Sequence, residues 1–260
     1  MMLFDIGANL THSDFSHDLA DVLERAHAAG ILQMSVTGAS LEGSQNAVAL
    51  SSRHDNLFAT VGVHPHHAEE INDESLQVLA ALAASDRVVA IGETGLDYFR
   101  DFTPRDQQRQ AFEAQLALAA EIGKPLFLHE RDAADDFVAI LKAYRDRIGS
   151  VVVHCFTGDA HALTRYLDLD CHIGITGWIC DERRGNHLHG LIQNVPSNRL
   201  MIETDAPYLL PRTLKPKPKH RRCEPAHLVE ICGFVATLLN KPYAQVAAET
   251  TQTAQDFFRL

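Results

Sequence analysis

Four apolar runs in this chain end on a side chain that can hold a cation or move a proton. Val61-Gly62-Val63 leads into His64, Ala90-Ile91-Gly92 into Glu93, Phe127-Leu128 into His129, and Val152-Val153 into His154. A fifth run, Met201-Ile202, leads into Glu203-Thr204-Asp205, and the first apolar run carries Asp5. One such boundary residue is as easily chance as design. The same event after run upon run is not. Imidazoles with two or three carboxylates form a mixed nitrogen and oxygen donor set. That set suits Mg, Mn, Zn or Fe and lacks the thiolates that select a structural zinc. A cation held there would polarise a substrate oxygen and acidify an attacking water.

These side chains can meet only if the runs are strands whose C-terminal ends share one face. The pattern predicts strands at Leu3–Ile6, Ile31–Val36, Leu57–Val63, Arg87–Ile91, Pro125–Leu128, Val151–Val153, His172–Ile175 and Arg199–Ile202. Helical stretches alternate with them. Gln107–Ile122 is the clearest, with Phe112, Leu116, Ala119 and Ala120 at helical spacing and Gly123 as a stop. Asp14–Ala29, Glu42–Ser52, Asp73–Ala84 and Asp132–Arg147 read similarly, and helices near Ala226–Leu239 and Pro242–Phe258 close the chain. Near-continuous apolar strands between helices imply a parallel sheet covered on both faces. Eight such units predict an α/β fold, a (β/α)8 TIM barrel forming one domain over residues 1–260, with a doubly wound open sheet as the competitor. Barrel enzymes place their chemistry at the strand C-termini.

The segment after the last strand is a second signal. Residues 206–225 hold Pro207, Pro211, Pro216, Pro218 and Pro225, together with Arg212, Lys215, Lys217, Lys219, Arg221 and Arg222, and no acid before Glu224. Long loops inside compact domains are usually functional or disordered, and loops after strands seven and eight often hold phosphate in barrels. A solvated basic face is the plain alternative. Arg212 and Arg222 are therefore candidate phosphate contacts. Arg131, two residues beyond His129, is another, because a guanidinium matches phosphate oxygens in a fork. Core packing is the common use of Tyr98, Phe99, Phe156, Trp178 and Tyr208, and base stacking is assigned only to Trp178 or Tyr208. His66 and His67 read as solvated loop residues. Asp97 reads equally as a support for the site or as the cap of a local turn. Cys155 receives no role.

Bulk properties narrow the classes. Apolar residues make up 46% of 260, enough for a sizeable core. The formal net charge of -11 argues against a general nucleic-acid binder unless basic residues cluster at the site. Five cysteines, with no Cys-x-x-Cys pair, suggest free thiols in a reducing cytosol. The first residues lack the basic n-region of a signal peptide. No run approaches the roughly 18 apolar residues of a membrane span, so a soluble, cytoplasmic protein with no membrane partner is expected.

The motifs together resemble a family. Gly62-Val63-His64-Pro65-His66, Gly92-Glu93-Thr94-Gly95-Leu96-Asp97-Tyr98, His129-Glu130-Arg131-Asp132-Ala133, His154-Cys155-Phe156-Thr157-Gly158, Gly174-Ile175-Thr176-Gly177-Trp178, Ile202-Glu203-Thr204-Asp205-Ala206-Pro207-Tyr208-Leu209 and Arg222-Cys223-Glu224-Pro225-Ala226-His227-Leu228 are similar, in order, to TatD-type deoxyribonucleases. The resemblance implies a metal-dependent 3′–5′ exonuclease on single-stranded DNA and RNA, acting as a monomer, with a role in DNA repair. It implies Glu93, His129 and His154 as ligands of a divalent metal, Mg2+ before Mn2+ or Zn2+. It implies Asp205 as a further ligand or the catalytic base, and His64 as a catalytic residue facing a phosphate or the nucleophile. Gly7 and Asn9 stand where many relatives carry His-x-His, so a single tightly held metal, or a second that arrives only with substrate phosphate, is expected. Cys223 stands where the family commonly has Asn. The competing readings keep the barrel and differ in chemistry: an ester or amide hydrolase such as an aminoacyl-tRNA deacylase, or a metal-binding protein without activity.

Overall fold

The computed structural model describes residues 2–216, 218, 219 and 221–260; Lys217 of the basic segment lies outside them. Eight strands belong to one sheet whose order follows the chain: β1 (Leu3–Ala8), β2 (Ile31–Val36), β3 (Leu57–Val61), β4 (Val88–Asp97), β5 (Leu126–Arg131), β6 (Val151–Val153), β7 (Cys171–Ile175) and β8 (Leu200–Ile202). Helices alternate with them: α1 (Leu19–Ala28), α2 (Leu41–Ser51), α3 (Asp73–Ala83), α4 (Arg105–Ile122), α5 (Ala134–Tyr144), α6 (Ala160–Asp168), the short α7 (Leu188–Leu191), α8 (Leu228–Leu238) and α9 (Tyr243–Phe258). This is the α/β, (β/α)8 class that the alternation predicts. The strands are buried along their whole length or nearly so, as a sheet covered on both faces requires.

The chain packs as two compact units. One holds the chain up to Ser35, Cys155–Ala160 and Ile173–Leu260; the other holds Val36–His154 and His161–His172. In the second unit β4 is the long strand. It pairs in parallel with β3 and β5, and its register shifts between Ile91 and Thr94. Gly95 lies opposite His129, and a Cβ there would meet the His129 carbonyl oxygen at 1.9 Å. Only a residue without a side chain lets β4 come this close to β5. The sequence pattern ends this strand at Ile91. It continues to Asp97, because the glycines that look like breakers are points of close approach.

Helix α4 holds the site strands from behind. Gln115, fully buried, accepts from the Val63 amide (2.8 Å) and donates to Thr94 Oγ1 (2.7 Å) and the Val63 carbonyl (3.0 Å). One turn-pair earlier, Gln108 accepts from the Asp97 amide (2.9 Å) and donates to the Asp97 and Thr103 carbonyls. Both share the buried face with Phe112, Leu116 and Ala119. The strand ends that carry His64 and Glu93 are thus fixed by buried amide groups, satisfied at both ends.

Candidate metal centre

The second unit brings together four of the side chains singled out above. Glu93 Oε1 lies 2.7 Å from His154 Nε2, 3.0 Å from His129 Nδ1 and 3.4 Å from His64 Nε2. Glu93, His64 and His154 are buried, and His129 is nearly so. The placing is local. Glu93 stands within the register shift of β4, His129 lies within β5, and the His154 amide at the end of β6 donates to the Leu128 carbonyl (2.9 Å). The Phe127 ring stacks on the His154 imidazole at 4.5 Å and fixes its plane. His64 caps the short 3-10 turn that follows it, its Nδ1 accepting from the His66 amide (3.1 Å).

His66, read from the sequence as a solvated loop residue, and Asp97, weighed as a support or a turn cap, join the centre. His66 is about one-quarter exposed, and its Nε2 is 2.7 Å from Asp97 Oδ2. It is not the solvated loop residue expected. His67 is half exposed, with Glu70 as neighbour. Asp97 fills both roles weighed for it, one on each oxygen. Oδ1 accepts from the Phe99 (3.0 Å) and Arg100 (2.8 Å) amides as a turn cap, while Oδ2 faces His66 and lies 3.5 Å from His129 Nε2. A carboxylate behind a ligand histidine fixes its ring and tautomer. The advance signals for His66 were its place two residues beyond His64 and its inclusion in the Gly62-Val63-His64-Pro65-His66 motif.

Electrostatics sort these groups. Burial opposes charge on Glu93, but the fields of His154 and His64 and the hydrogen bonds from His129 and His154 outweigh it, and its carboxyl titrates well below the usual range. At His64 burial wins, and the imidazole is pushed well below its ordinary value. At His129 burial acts the same way, yet hydrogen bonds to Asp97 and Glu93 prevail and raise it. At neutral pH the cluster therefore holds an ionised carboxylate and a neutral His64 imidazole.

Ligand atoms of His64, Glu93 and His129 all lie within 4.8 Å of one another. Donors at about 2.0–2.2 Å on opposite sides of one ion are roughly 4 Å apart, so small side-chain shifts bring this set around a divalent metal. The nitrogen and oxygen chemistry fits such an ion.

A family model described as TatD related DNase matches residues 4–259. The chain belongs to the TatD-related DNase family. It is 47% identical over 99% of its length, and 98% of the relative's, to a protein of Klebsiella pneumoniae named 3′-5′ ssDNA/RNA exonuclease TatD. It is 48% identical over 99% of its length, and all of the relative's, to the like-named protein of Edwardsiella piscicida. Among solved structures, a TatD homologue from Escherichia coli K12 aligns over 99% of this chain and 98% of its own, with a TM-score of 0.90 and 28% identity. A TatD family hydrolase from Entamoeba histolytica aligns over the same shares with a TM-score of 0.89 and 26% identity.

The first unit of this TatD-family chain holds the remaining sequence-predicted residues. Asp205 has a left-handed backbone (φ 55°), an uncommon state that recurs at functional positions. Gly7 and Asn9, the positions without the common histidines, hold it directly. The Asp205 amide donates to the Gly7 carbonyl (2.9 Å), and Asn9 Nδ2 donates to Asp205 Oδ1 (3.0 Å). Glu203 is fully buried and accepts from the Cys155 amide (2.6 Å).

The basic segment is less free than its composition suggests. Arg222 pairs with Asp18 (2.6 Å) and Glu224 (2.7 Å), and Arg212 pairs with Glu182 (2.7 Å). A phosphate held by either would have to share that guanidinium. Arg212 also lines a cavity of about 500 Å³ with Trp178, Arg183, Arg184, Lys219 and Arg221. The Arg184 guanidinium covers the Trp178 ring at 4.1 Å, and Tyr208 is half exposed. Four of the five cysteines are buried, Cys223 among them.

Asp5 in β1 yields a stability prediction. Its carboxyl is fully buried and accepts from the Thr204 amide (2.9 Å) and hydroxyl (2.5 Å). Burial, aided by the charge of Glu203, raises its pKa from 3.8 to about 7 despite those bonds. The folded state then binds more protons than the unfolded one between these values. Stability is present below the lower pKa and lost as pH rises through the upper. Asp5→Asn keeps the acceptor for the Thr204 amide and removes the charge. It should stabilise the protein by up to about 4 kcal/mol above pH 7 and by almost nothing near pH 4. Thermal melts of both proteins at pH 8 and pH 4.5 check this; identical melts at pH 8 would refute it.

Proposed function

We propose that this chain is a divalent-metal-dependent 3′–5′ exonuclease that hydrolyses phosphodiester bonds in single-stranded DNA and RNA, working as a cytoplasmic monomer. The observation that carries the reading is the convergence of His64, His129 and His154 on one oxygen of Glu93. The names of the relatives give the substrate and the polarity. Glu93, His129 and His154 would hold the metal, Mg2+ first among candidates, with Asp205 as a further ligand or the base. When bound, the ion would polarise the phosphate and neutralise charge developing on its oxygens.

The chain's own groups do the rest. His64, neutral and with Nδ1 accepting from the His66 amide, carries its proton on Nε2 and can donate it in a hydrogen bond to a phosphate oxygen. Asp205, already oriented by Asn9 and Gly7, can take the proton of the attacking water. Asp97 holds the rings of His129 and His66. Arg131, whose guanidinium lies 4.4 Å over the Phe99 ring, would meet phosphate. The cavity around Trp178, with five basic residues against Asp181, suits phosphate and a stacked base.

The test is a single strand labelled at its 5′ end, as DNA and as RNA, incubated with Mg2+, Mn2+ or Zn2+. The strand should shorten one nucleotide at a time, and a chelator should stop it. Unchanged strands with every ion would end the nuclease reading. Equal degradation of a strand blocked at its 3′ end would end the polarity.

A further inference from the structure

Among the described residues, five large apolar side chains are exposed, and two of them share the short segment that leaves β4. Phe99 is 54% exposed and Phe102 is 67% exposed. A phenylalanine left this open forgoes much of the stabilisation that burial would give. Slack in the segment does not explain it. Asp97 Oδ1 caps the Phe99 and Arg100 amides. At the other end buried Thr103 donates to the Pro65 carbonyl (2.6 Å), while its own carbonyl accepts from Gln108 (2.9 Å). The backbone is pinned on both sides of Phe102, and the ring still faces out.

Its surroundings say what it faces. The Phe102 ring lies 4.7 Å from the His66 ring. His66 in turn packs 4.2 Å from His64 and bonds Asp97. One aromatic contact therefore separates Phe102 from the groups that support the metal centre. Three residues earlier in the chain, the Phe99 ring has the guanidinium of Arg131 4.4 Å over it and that of Arg100 at 5.7 Å. Open aromatic faces next to guanidinium groups are the surface that holds unpaired nucleotides, bases on the rings and phosphates on the cations.

We propose that Phe102, backed by His66, is a stacking platform for an unpaired base near the 3′ end of the strand. The inference rests on the nuclease reading and adds to it a cause for single-strand preference. In a duplex each base is already stacked and paired, so the platform can hold only a base that is free. The contact is to the face of the base, so it reads neither sequence nor sugar, and DNA and RNA are held alike.

The experiment measures binding without turnover. A single-stranded oligonucleotide carrying a fluorophore at its 5′ end is titrated by anisotropy in EDTA. The proteins are the wild type, Phe102→Ala, Phe102→Trp and Phe99→Ala. Each strand is used intact and with an abasic residue at the last or the penultimate 3′ position. Phe102→Ala should weaken binding of the intact strand about 5-fold to 100-fold, and Phe102→Trp should restore it. Removing the base at the contacted position should weaken the wild type by a similar factor and leave Phe102→Ala nearly unchanged, the signature of a shared contact. An equal abasic penalty in wild type and Phe102→Ala overturns the platform, even if all variants bind less. So does unaltered affinity in Phe102→Ala. Binding with this pattern by a protein that cuts no strand with any metal supports the platform and ends the nuclease reading. Failure of the wild type to bind any strand in EDTA overturns the platform, whereas the nuclease reading is ended only by strands that stay intact with every ion.

Discussion

Glu93→Gln should lower divalent-dependent hydrolysis by about a thousandfold or more while leaving the protein folded. The amide matches the carboxyl in size, so the core around it keeps its packing. What it loses is the negative charge on which His64, His129 and His154 converge. Stabilisation of phosphoryl charge by a bound ion amounts to several kcal/mol, and each 1.36 kcal/mol is a factor of ten in rate. The amide also presents an N–H₂ group that cannot face both imidazole donors and a cation. Two readouts separate site from fold: hydrolysis of a labelled strand, and uptake of Mn2+ by calorimetry. Activity within tenfold of wild type, or undiminished uptake, would remove Glu93 from the metal centre.

Gly95→Ala should be the most damaging small substitution in the second unit. The added Cβ falls 1.9 Å from the His129 carbonyl oxygen, and the residue has φ +148°. Backbone cannot yield there without parting β4 from β5, so a loss of about 4 kcal/mol or more is expected. A protein that still folds should have lost the alignment of His129 with Glu93. Gly190→Ala is the control, because nothing lies within 4 Å of its added Cβ; it should be neutral or slightly stabilising. Equal urea midpoints for the two variants would show that the approach of the strands is looser than described.

How far the sequence could be read depended on what each residue's neighbours were. Ile31–Val36 and Val151–Val153 are strands with the bounds that pattern predicts, since an apolar run closed by turn residues has few other fates. Glu93, His129, His154 and His64 were legible because each ends or follows such a run. Helix α6 was not anticipated. It is short, and its apolar positions are separated by His161, Thr164 and Arg165. The pairing of His66 with Asp97 escaped for a different reason. It spans 31 residues and depends on how two turns face each other, and no periodicity carries that. Arg212 and Arg222 show the same limit from the other side. Composition marks them as cations beside a site, but only coordinates reveal the carboxylates that already hold them.

Gln108 and Gln115 carry a lesson for anyone who would redesign this scaffold. On a helical wheel they fall among Phe112, Leu116 and Ala119 and invite replacement by leucine. Such a swap would gain greasy contact and remove the stitches that hold two strand tips at a common height. The fold would survive as a container whose rim no longer lines up, and a screen for thermal tolerance alone would score that loss as an improvement.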